Sequence, residues 1–342
     1  MRKIFPFVFL FLSPVLSAQT ITDISDTSIH ASFRGMSVVN DNVVWVSGSK
    51  GTIGVSDNGG KSWNWHTVAN FEKSDFRSIY AFDAKHAVVA SAGTPAVILT
   101  TDNGGISWNA RFITSDSAMF FDGIDFWNNM HGMIFGDPVK GRMYLAETFD
   151  GGMTWNEIPF EQRPQLEPGE AAFAASGTTI RTVGKNEVWI ATGGTVSRIW
   201  HSIDGGHNWI VKSTPILQGK SSQGIFSICI FGTTKIAIIG GDYAHDSLAT
   251  DNYFSSADNG NHWGNIIAFP HGYKSCIELA VFSRNKVLWI CTGTSGSEIC
   301  GKDGWKNIGK GYNTVRQARK GKAVYFCGGK GAIGKLQIAD YK

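Results

Sequence analysis

The eight residues SIDGGHNW, at positions 202–209, place an aspartate, two glycines and a tryptophan in one short segment. Asp204 can accept hydrogen bonds from backbone N–H groups of its own turn, and Gly205 and Gly206 allow positive φ angles. Trp209 then supplies a large apolar side chain at the start of the next strand. The sequence therefore predicts a tight turn between two β-strands that is stabilised by its own residues.

This pattern recurs along the chain as SDNGGKSW (56–63), TDNGGISW (101–108), TFDGGMTW (148–155) and SADNGNHW (256–263), with a shortened GKDGW that ends at Trp305. We call the five full segments the box turns. Because a catalytic site is seldom built five times, we expect these residues to be structural: Asn58, Trp63, Asn103, Trp108, Asp150, Trp155, Asp204, Trp209, Asp258 and Trp263. Because the turns lack the alternating carboxylates of a calcium loop, we do not expect them to bind calcium.

The spacing of the repeat indicates the fold. The tryptophans at 63, 108, 155, 209, 263 and 305 are separated by 45, 47, 54, 54 and 42 residues, a period typical of propeller blades of four strands. Short β-branched runs such as VVWVSGS (43–49) and VLWICTG (287–293) lie between the turns, and helical periodicity is nowhere convincing. The chain is therefore predicted to be all-β.

The number of blades follows from the two ends of the chain. Five units end in a box turn and a sixth ends in the shortened GKDGW. Residues 314–338 supply three more strands without a box turn. Residues 20–31 alternate like a strand, so we expect them to complete the last blade and to leave no exposed edge. This predicts a seven-bladed β-propeller of four-stranded antiparallel blades, closed by the N-terminal strand. A six-bladed ring with loose ends is the alternative.

The N-terminus has the three parts of a secretory signal: Arg2 and Lys3, an apolar run from Ile4 to Leu12, and a small-residue exit at Ala18. We expect residues 1–18 to be a signal peptide and residues 19–342 to form a single propeller domain in the periplasm or outside the cell. No other run approaches the roughly 20 apolar residues of a membrane span. Without Arg2 and Lys3, 29 basic side chains face 28 acidic ones, which gives no reason to expect nucleic acid as a partner.

The remaining composition argues against metal and redox chemistry. The nine histidines are scattered without the spacing of metal ligands, and we expect no cofactor. The five cysteines lie in apolar strands that favour buried free thiols, and Cys291 and Cys300 are the one pair that flanks a predicted hairpin. We expect a monomer.

The box turns resemble the Asp-boxes (BNR repeats) of sialidases and of the photosystem II stability/assembly factor-like proteins. The second resemblance extends over nearly all of the mature chain and includes DFRSIYAFD (75–83), FGDP (135–138), PGEAAFAASGT (168–178), GIFSI (224–228), GGDY (240–243) and HGY (271–273). It implies a propeller fold and an exported, non-catalytic scaffold that assists the assembly or stability of a partner. Nothing in the chain indicates a photosynthetic host.

Blade topology indicates where a binding site would lie. The long connections 160–177, 213–224 and 240–252 are predicted on the face opposite the box turns. The candidate binding residues on that face are Arg34, Arg77, Asp122, Glu170, Phe226, Asp242, Tyr243, Tyr273 and Lys274, with Tyr312 beside them. Arg34 and Arg77 suit a carboxylate or phosphate, whereas tyrosines offer stacking surfaces for a protein or a small anionic or glycan ligand. Alternatively, these charges pair with one another and close the channel mouth.

A sialidase-like glycoside hydrolase is the alternative function. The resemblance to sialidases implies roles for Arg34, Arg77, Glu170, Tyr273 and Arg316. Two departures oppose it, because the N-terminal motif reads SFRG where sialidases have Arg followed by Ile-Pro, and seven units are counted where they have six. We do not expect an oxidoreductase, since GGKGAIG (328–334) has dinucleotide-binding spacing but is flanked by short strands instead of a following helix. No catalytic residue is assigned.

Overall fold

The computed structural model describes residues 19–264, 268–284, 286–301 and 304–338. The predicted signal peptide, residues 1–18, and the last four residues of the predicted domain lie outside them. The described chain consists of β-strands and three short 3-10 helices, at Phe160–Gln162, Tyr243–His245 and Gly329–Gly331. The strands form seven sheets, which confirms the all-β, seven-bladed propeller.

The strands follow one another from the centre of each blade outwards. Strand β1 (Thr20–Asp23) precedes the first blade, which contains β2 (Phe33–Val38), β3 (Val44–Gly48), β4 (Thr52–Ser56) and β5 (Asn64–Thr67). The second blade contains β6 (Asp75–Ala81), β7 (Ala87–Ala92), β8 (Ala96–Thr101) and β9 (Asn109–Thr114). The third contains β10 (Phe121–Phe126), β11 (Gly132–Val139), β12 (Arg142–Thr148) and β13 (Asn156–Glu157).

Two short strands are inserted around the fourth blade, namely β14 (Glu170–Ala171) and β17 (Gly193–Gly194). The fourth blade contains β15 (Ile180–Val183), β16 (Glu187–Ala191), β18 (Arg198–Ser202) and β19 (Ile210–Ser213). The fifth contains β20 (Gln223–Phe231), β21 (Lys235–Asp242) and β22 (Tyr253–Ser256), to which β17 and β14 are added at the inner edge. At its outer edge Gly264 bridges Ser255.

The sixth blade contains β23 (Cys276–Ser283), β24 (Lys286–Gly293), β25 (Gly296–Gly301) and β26 (Gly304–Gly309). The seventh contains β27 (Thr314–Gln317), β28 (Val324–Cys327) and β29 (Ile333–Gln337), with β1 as its outer strand. Strand β1 is antiparallel to β29 and pairs Thr20 with Gln337 and Asp23 with Gly334. The predicted closure of the ring by the N-terminal strand is therefore confirmed.

The hydrophobic core lies between neighbouring blades because each sheet presents apolar side chains on both faces. Between the first two blades it includes Trp45, Phe76 and Val97, all fully buried. The indole of Trp45 also donates a 2.9 Å hydrogen bond to the Asp83 carbonyl, which joins the first blade to the second. All five cysteines are free, as expected.

The box turns have the predicted internal geometry. Asp204 accepts a 2.9 Å hydrogen bond from the Asn208 amide, and Gly205 and Gly206 have φ angles of 78° and 92°. The Trp209 indole donates to the Gly206 carbonyl at 2.7 Å. Asp204, the two glycines and Trp209 thus serve the turn itself.

Each box turn lies beside the turn between the two inner strands of its own blade. In the fourth blade the Gly205 amide donates a 2.8 Å hydrogen bond to the Asn186 carbonyl. The four other box turns make the same bond, from Gly59, Gly104, Gly151 and Asn259. These turns therefore share one face of the propeller, which we call the box face, and the long connections lie on the opposite face.

Candidate functional site

The mouth of the central channel, on the face opposite the box face, contains a cavity of about 450 Å³. The innermost strands of several blades begin here, and three of them contribute Arg34, Arg77 and Phe226 to the wall, which is completed by the neighbouring loops. The lining residues are Arg34, Arg77, Phe120, Asp137, Ala172, Phe173, Ala174, Ala175, Phe226, Tyr243, Tyr273, Thr294 and Asn313. The channel mouth is thus a closed-bottomed pocket of the size that suits a small ligand or a peptide side chain.

The bottom of the cavity is formed by residues 172–175, which begin a segment, 172–178, that we call the crossing segment. The carbonyl of Ala175 contacts Arg34 of the first blade, and Ser176 donates a hydrogen bond to the Ser275 carbonyl beside the sixth blade. Thr178 donates to the Ser227 hydroxyl of the fifth blade at 2.7 Å. The crossing segment therefore spans the channel and closes it beneath the cavity.

The two arginines of the cavity have different partners. Arg77 donates from Nε to the Asp75 carboxylate at 2.7 Å and so carries its own counter-charge. Arg34 donates to the Ala175 carbonyl at 3.4 Å, and it has no ion pair with any described residue. Burial, and then the charge of Arg77, lower the pKa of Arg34. Arg34 is therefore a partly buried cation without a carboxylate partner, an arrangement that favours an anionic ligand.

An aromatic wall stands beside the arginines. Phe173 of the crossing segment stacks on Phe226, with ring centroids 3.9 Å apart, and Tyr273 meets Phe226 edge to face at 4.7 Å. Phe226 and Tyr273 are buried, whereas the side chain of Tyr243 is 53% exposed at the rim. The wall is closely packed at its base and offers one accessible ring to a ligand.

The third blade contributes two acidic side chains to this region, one in the cavity wall and one buried. Asp137 lines the cavity and accepts a 3.2 Å hydrogen bond from the Ala172 amide, and burial raises its pKa. Asp122 is fully buried, and neither oxygen makes a hydrogen bond of good geometry with a described residue, although the Ala174 amide is near. Burial, and then Asp137, raise the pKa of Asp122 well above its ordinary value. The two carboxyl groups are therefore harder to ionise than an exposed aspartate.

Three predicted site residues serve the scaffold instead of the cavity wall. Buried Glu170 forms an ion pair with Arg198 and accepts a 2.6 Å hydrogen bond from Thr192. Lys274 is fully buried and donates to Glu298 at 2.7 Å. Asp242 accepts a 3.0 Å hydrogen bond from the Ala244 amide and so shapes the turn that carries Tyr243. These pairs match the alternative expectation, that some charges at the mouth satisfy one another.

The structure thus brings together Arg34, Arg77, Phe226, Tyr243 and Tyr273 of the predicted set, with Asp122 below them. Tyr312 is buried in the core between the last two blades. Sequence reasoning missed Phe120, Asp137, Phe173, Thr294 and Asn313. Asp137 and Phe173 belong to FGDP and PGEAAFAASGT, two segments that carry the family resemblance, so they were within reach of the sequence.

The hydrolase set does not assemble. Only Arg34, Arg77 and Tyr273 line the cavity, because Glu170 is held by Arg198 and Arg316 does not reach the wall. Among the residues that the structure describes, no three His, Cys, Asp or Glu side chains are arranged to hold a metal ion. No helix within the described ranges is long and apolar enough to cross a membrane.

Comparison with known proteins relates the chain to others by structure alone, since no family model and no curated protein matches its sequence. A structure of YCF48 bound to a D1 peptide is 15% identical with a TM-score of 0.66, over 96% of this chain and 99% of that one. YCF48 from Cyanidioschyzon merolae is 15% identical with a TM-score of 0.59, over 94% and 99% of the two chains.

A streptogramin B lyase structure is also similar, at 11% identity and a TM-score of 0.65, over 96% of this chain and 100% of the other. An enzyme and YCF48 thus match this chain almost equally well, so the structural similarity shows the fold but does not indicate an activity. The resemblance to photosystem II assembly factor-like propellers is confirmed at the level of the fold: the chain is similar to the YCF48 structures as a seven-bladed β-propeller.

Proposed function

We propose that this protein is an exported binding scaffold that captures an anionic, aromatic-bearing polypeptide segment of a partner protein in the cavity. Arg34 carries this proposal, because it is a partly buried guanidinium in the cavity wall without a carboxylate partner among the described residues. A carboxylate of the ligand would supply the missing counter-charge. The exposed ring of Tyr243 would stack on an aromatic side chain of the same ligand.

A polypeptide ligand is supported by the shape of the site and by a structure of the same fold. The cavity is open at the channel mouth, so that a chain can enter with one side chain inserted. The YCF48 structure with a bound D1 peptide has this fold. Assistance to the assembly or stability of the partner follows as part of the proposal, since a captured segment is protected until it is released.

The test compares Arg34→Gln with wild type for binding of a fluorescein-labelled peptide that carries two glutamates and one tyrosine. The expected result is a loss of affinity of about tenfold, with a similar loss when the glutamates of the peptide are replaced by glutamine. Arg142→Gln is the matched control, because Arg142 is half-buried like Arg34 but lies outside the cavity. Equal affinity of Arg34→Gln and wild type would refute the proposal.

The same variants test the hydrolase alternative. A sialidase-like enzyme would release the aglycone from a carboxylated aryl glycoside and would lose that turnover in Arg34→Gln. The scaffold proposal expects no turnover from wild type above that of heat-denatured protein. Turnover that depends on Arg34 would refute the scaffold proposal and show that the protein is an enzyme.

A further inference from the structure

The box face has a groove of about 300 Å³ between the second and third blades, far from the cavity. Its apolar lining comes from Phe82 and Ala87 of the second blade and from Met130 and Met153 of the third. The two methionines are 54% and 47% exposed. Exposed methionines are flexible and polarisable, and they are common where a surface adapts to a partner.

The repeat shows that turn geometry does not require methionine at position 130. The box-turn amide donates to the carbonyl of one residue in each of five blades, at 2.8 to 3.0 Å. The residues at this equivalent position are Asn42, Lys85, Met130, Asn186 and Thr234. All five are exposed, and the third blade alone has an apolar side chain there.

Position 153 gives the same result. Met153 follows the two turn residues Gly151 and Gly152 of its box turn. The residues at this position of the five box turns are Lys61, Ile106, Met153, His207 and Asn261. The third blade is the one of these five in which both positions are apolar. Since the fold accepts asparagine at either position, in Asn42 and Asn261, the paired methionines are not a requirement of the scaffold.

The charges around the groove are mainly negative. Asp83, Asp102 and Asp150 line it together with a single arginine, Arg111, so its net charge is −2 when His86 is neutral. Asp102 is exposed, and it has no hydrogen bond or ion pair to its side chain within the described part of the chain. Arg111 donates from Nε to the Thr100 hydroxyl at 2.8 Å and does not pair with these acids.

We propose that this groove is a second docking site, which takes a polypeptide segment of a partner protein that presents a bulky apolar side chain next to a lysine or arginine. The apolar side chain would lie between Met130 and Met153, and the cation would face Asp102. This surface is on the opposite face from the cavity and has the opposite charge preference. The groove proposal does not depend on the proposed function of the cavity. If both are right, the protein holds two dissimilar segments at once.

The test uses the complete mature chain and a fluorescein-labelled peptide in which two leucines are each followed by a lysine. Met130→Asn with Met153→Asn copies the residues of the first and fifth blades, so the fold should be retained and thermal unfolding verifies this. We expect the double variant to bind the peptide about tenfold more weakly than wild type. A second peptide, in which glutamate replaces each lysine, should bind wild type no more tightly than the lysine peptide binds the double variant.

Ile210→Asn with Val281→Asn is the control, because these side chains are 58% and 49% exposed on the fourth and sixth blades, away from the groove. It should bind the lysine peptide like wild type. Equal binding by Met130→Asn/Met153→Asn and wild type, or by the two peptides, would overturn the proposal, as would no binding to wild type. A dimer of the free protein in sedimentation that the double variant dissociates would also overturn it, by placing a second copy in the groove.

Discussion

The Ser176 hydroxyl donates a 2.8 Å hydrogen bond to the Ser275 carbonyl and so fastens the crossing segment to the chain that leads into the sixth blade. The same hydroxyl lies 2.5 Å from that of Thr178, which donates in turn to Ser227 in the fifth blade. All of these groups are buried. A line of hydroxyls thus holds the bottom of the cavity in place without forming part of its wall.

Ser176→Ala should therefore weaken both stability and binding. The substitution leaves the buried Ser275 carbonyl without its donor, which costs about 1–3 kcal/mol in the free energy of unfolding. Urea unfolding measures this loss, and the acidic peptide used for Arg34 should bind more weakly although Ser176 does not contact the cavity. Unchanged unfolding together with unchanged peptide affinity would show that the crossing segment is held by other contacts.

The box turns and the blade count could be predicted from the sequence, but the cavity could be predicted only in part. In a box turn, Asp204 and the amide that it binds are four residues apart, so the motif itself determines the contact. The cavity bottom depends on Ser176 meeting Ser275, which lies 99 residues further along the chain. The pairing of Glu170 with Arg198 is likewise long-range, and it removed Glu170 from the predicted ring.

Deletion of residues 19–31 should cause aggregation, because it removes β1 and exposes the edge of β29. Light scattering and the melting temperature report this change. Thr20→Ser with Thr22→Ser is the matched control, since it alters two exposed side chains but keeps the backbone pairing with Gln337 and Lys335. A truncated protein that remains monodisperse with an unchanged melting temperature would show that β1 is dispensable.

The carboxylates of the box turns should stabilise the fold at neutral pH and fail in acid. Burial raises the pKa of Asp204, but hydrogen bonds from Asn208, Ser202 and His207 outweigh this effect and lower it to about 2. Because the folded-state pKa is depressed, the stabilisation is present above the ordinary pKa of aspartate and is lost as the pH falls towards 2. Asp150 is shifted in the same direction.

Asparagine occupies the equivalent position in the first two box turns, as Asn58 and Asn103. The variant Asp150→Asn/Asp204→Asn should therefore fold, and its melting temperature should fall less steeply than that of wild type between about pH 4 and pH 2. Melting followed by circular dichroism across this range provides the measurement. Parallel curves for the two proteins would mean that these carboxylates do not contribute to the acid sensitivity.

The two acids of the third blade at the cavity, Asp122 and Asp137, should have the opposite effect on stability. Burial, and then the neighbouring Asp137 carboxyl, raise the pKa of Asp122 well above its ordinary value, against a smaller lowering by Arg77. The folded state therefore retains a proton that the unfolded state releases, so the stability contributed by this group decreases as the pH rises from about 4 towards the raised pKa. The double variant Asp122→Asn/Asp137→Asn should have a flatter dependence of the unfolding free energy on pH between about 4.5 and 8, measured by urea unfolding.

The comparison of slopes is independent of any constant cost of placing asparagine in a buried site. Asp116→Asn, at an exposed position outside the cavity, should keep the slope of wild type. If the double variant also keeps that slope, the two acids are ionised in the folded protein, and the cavity has less positive charge than its arginines indicate.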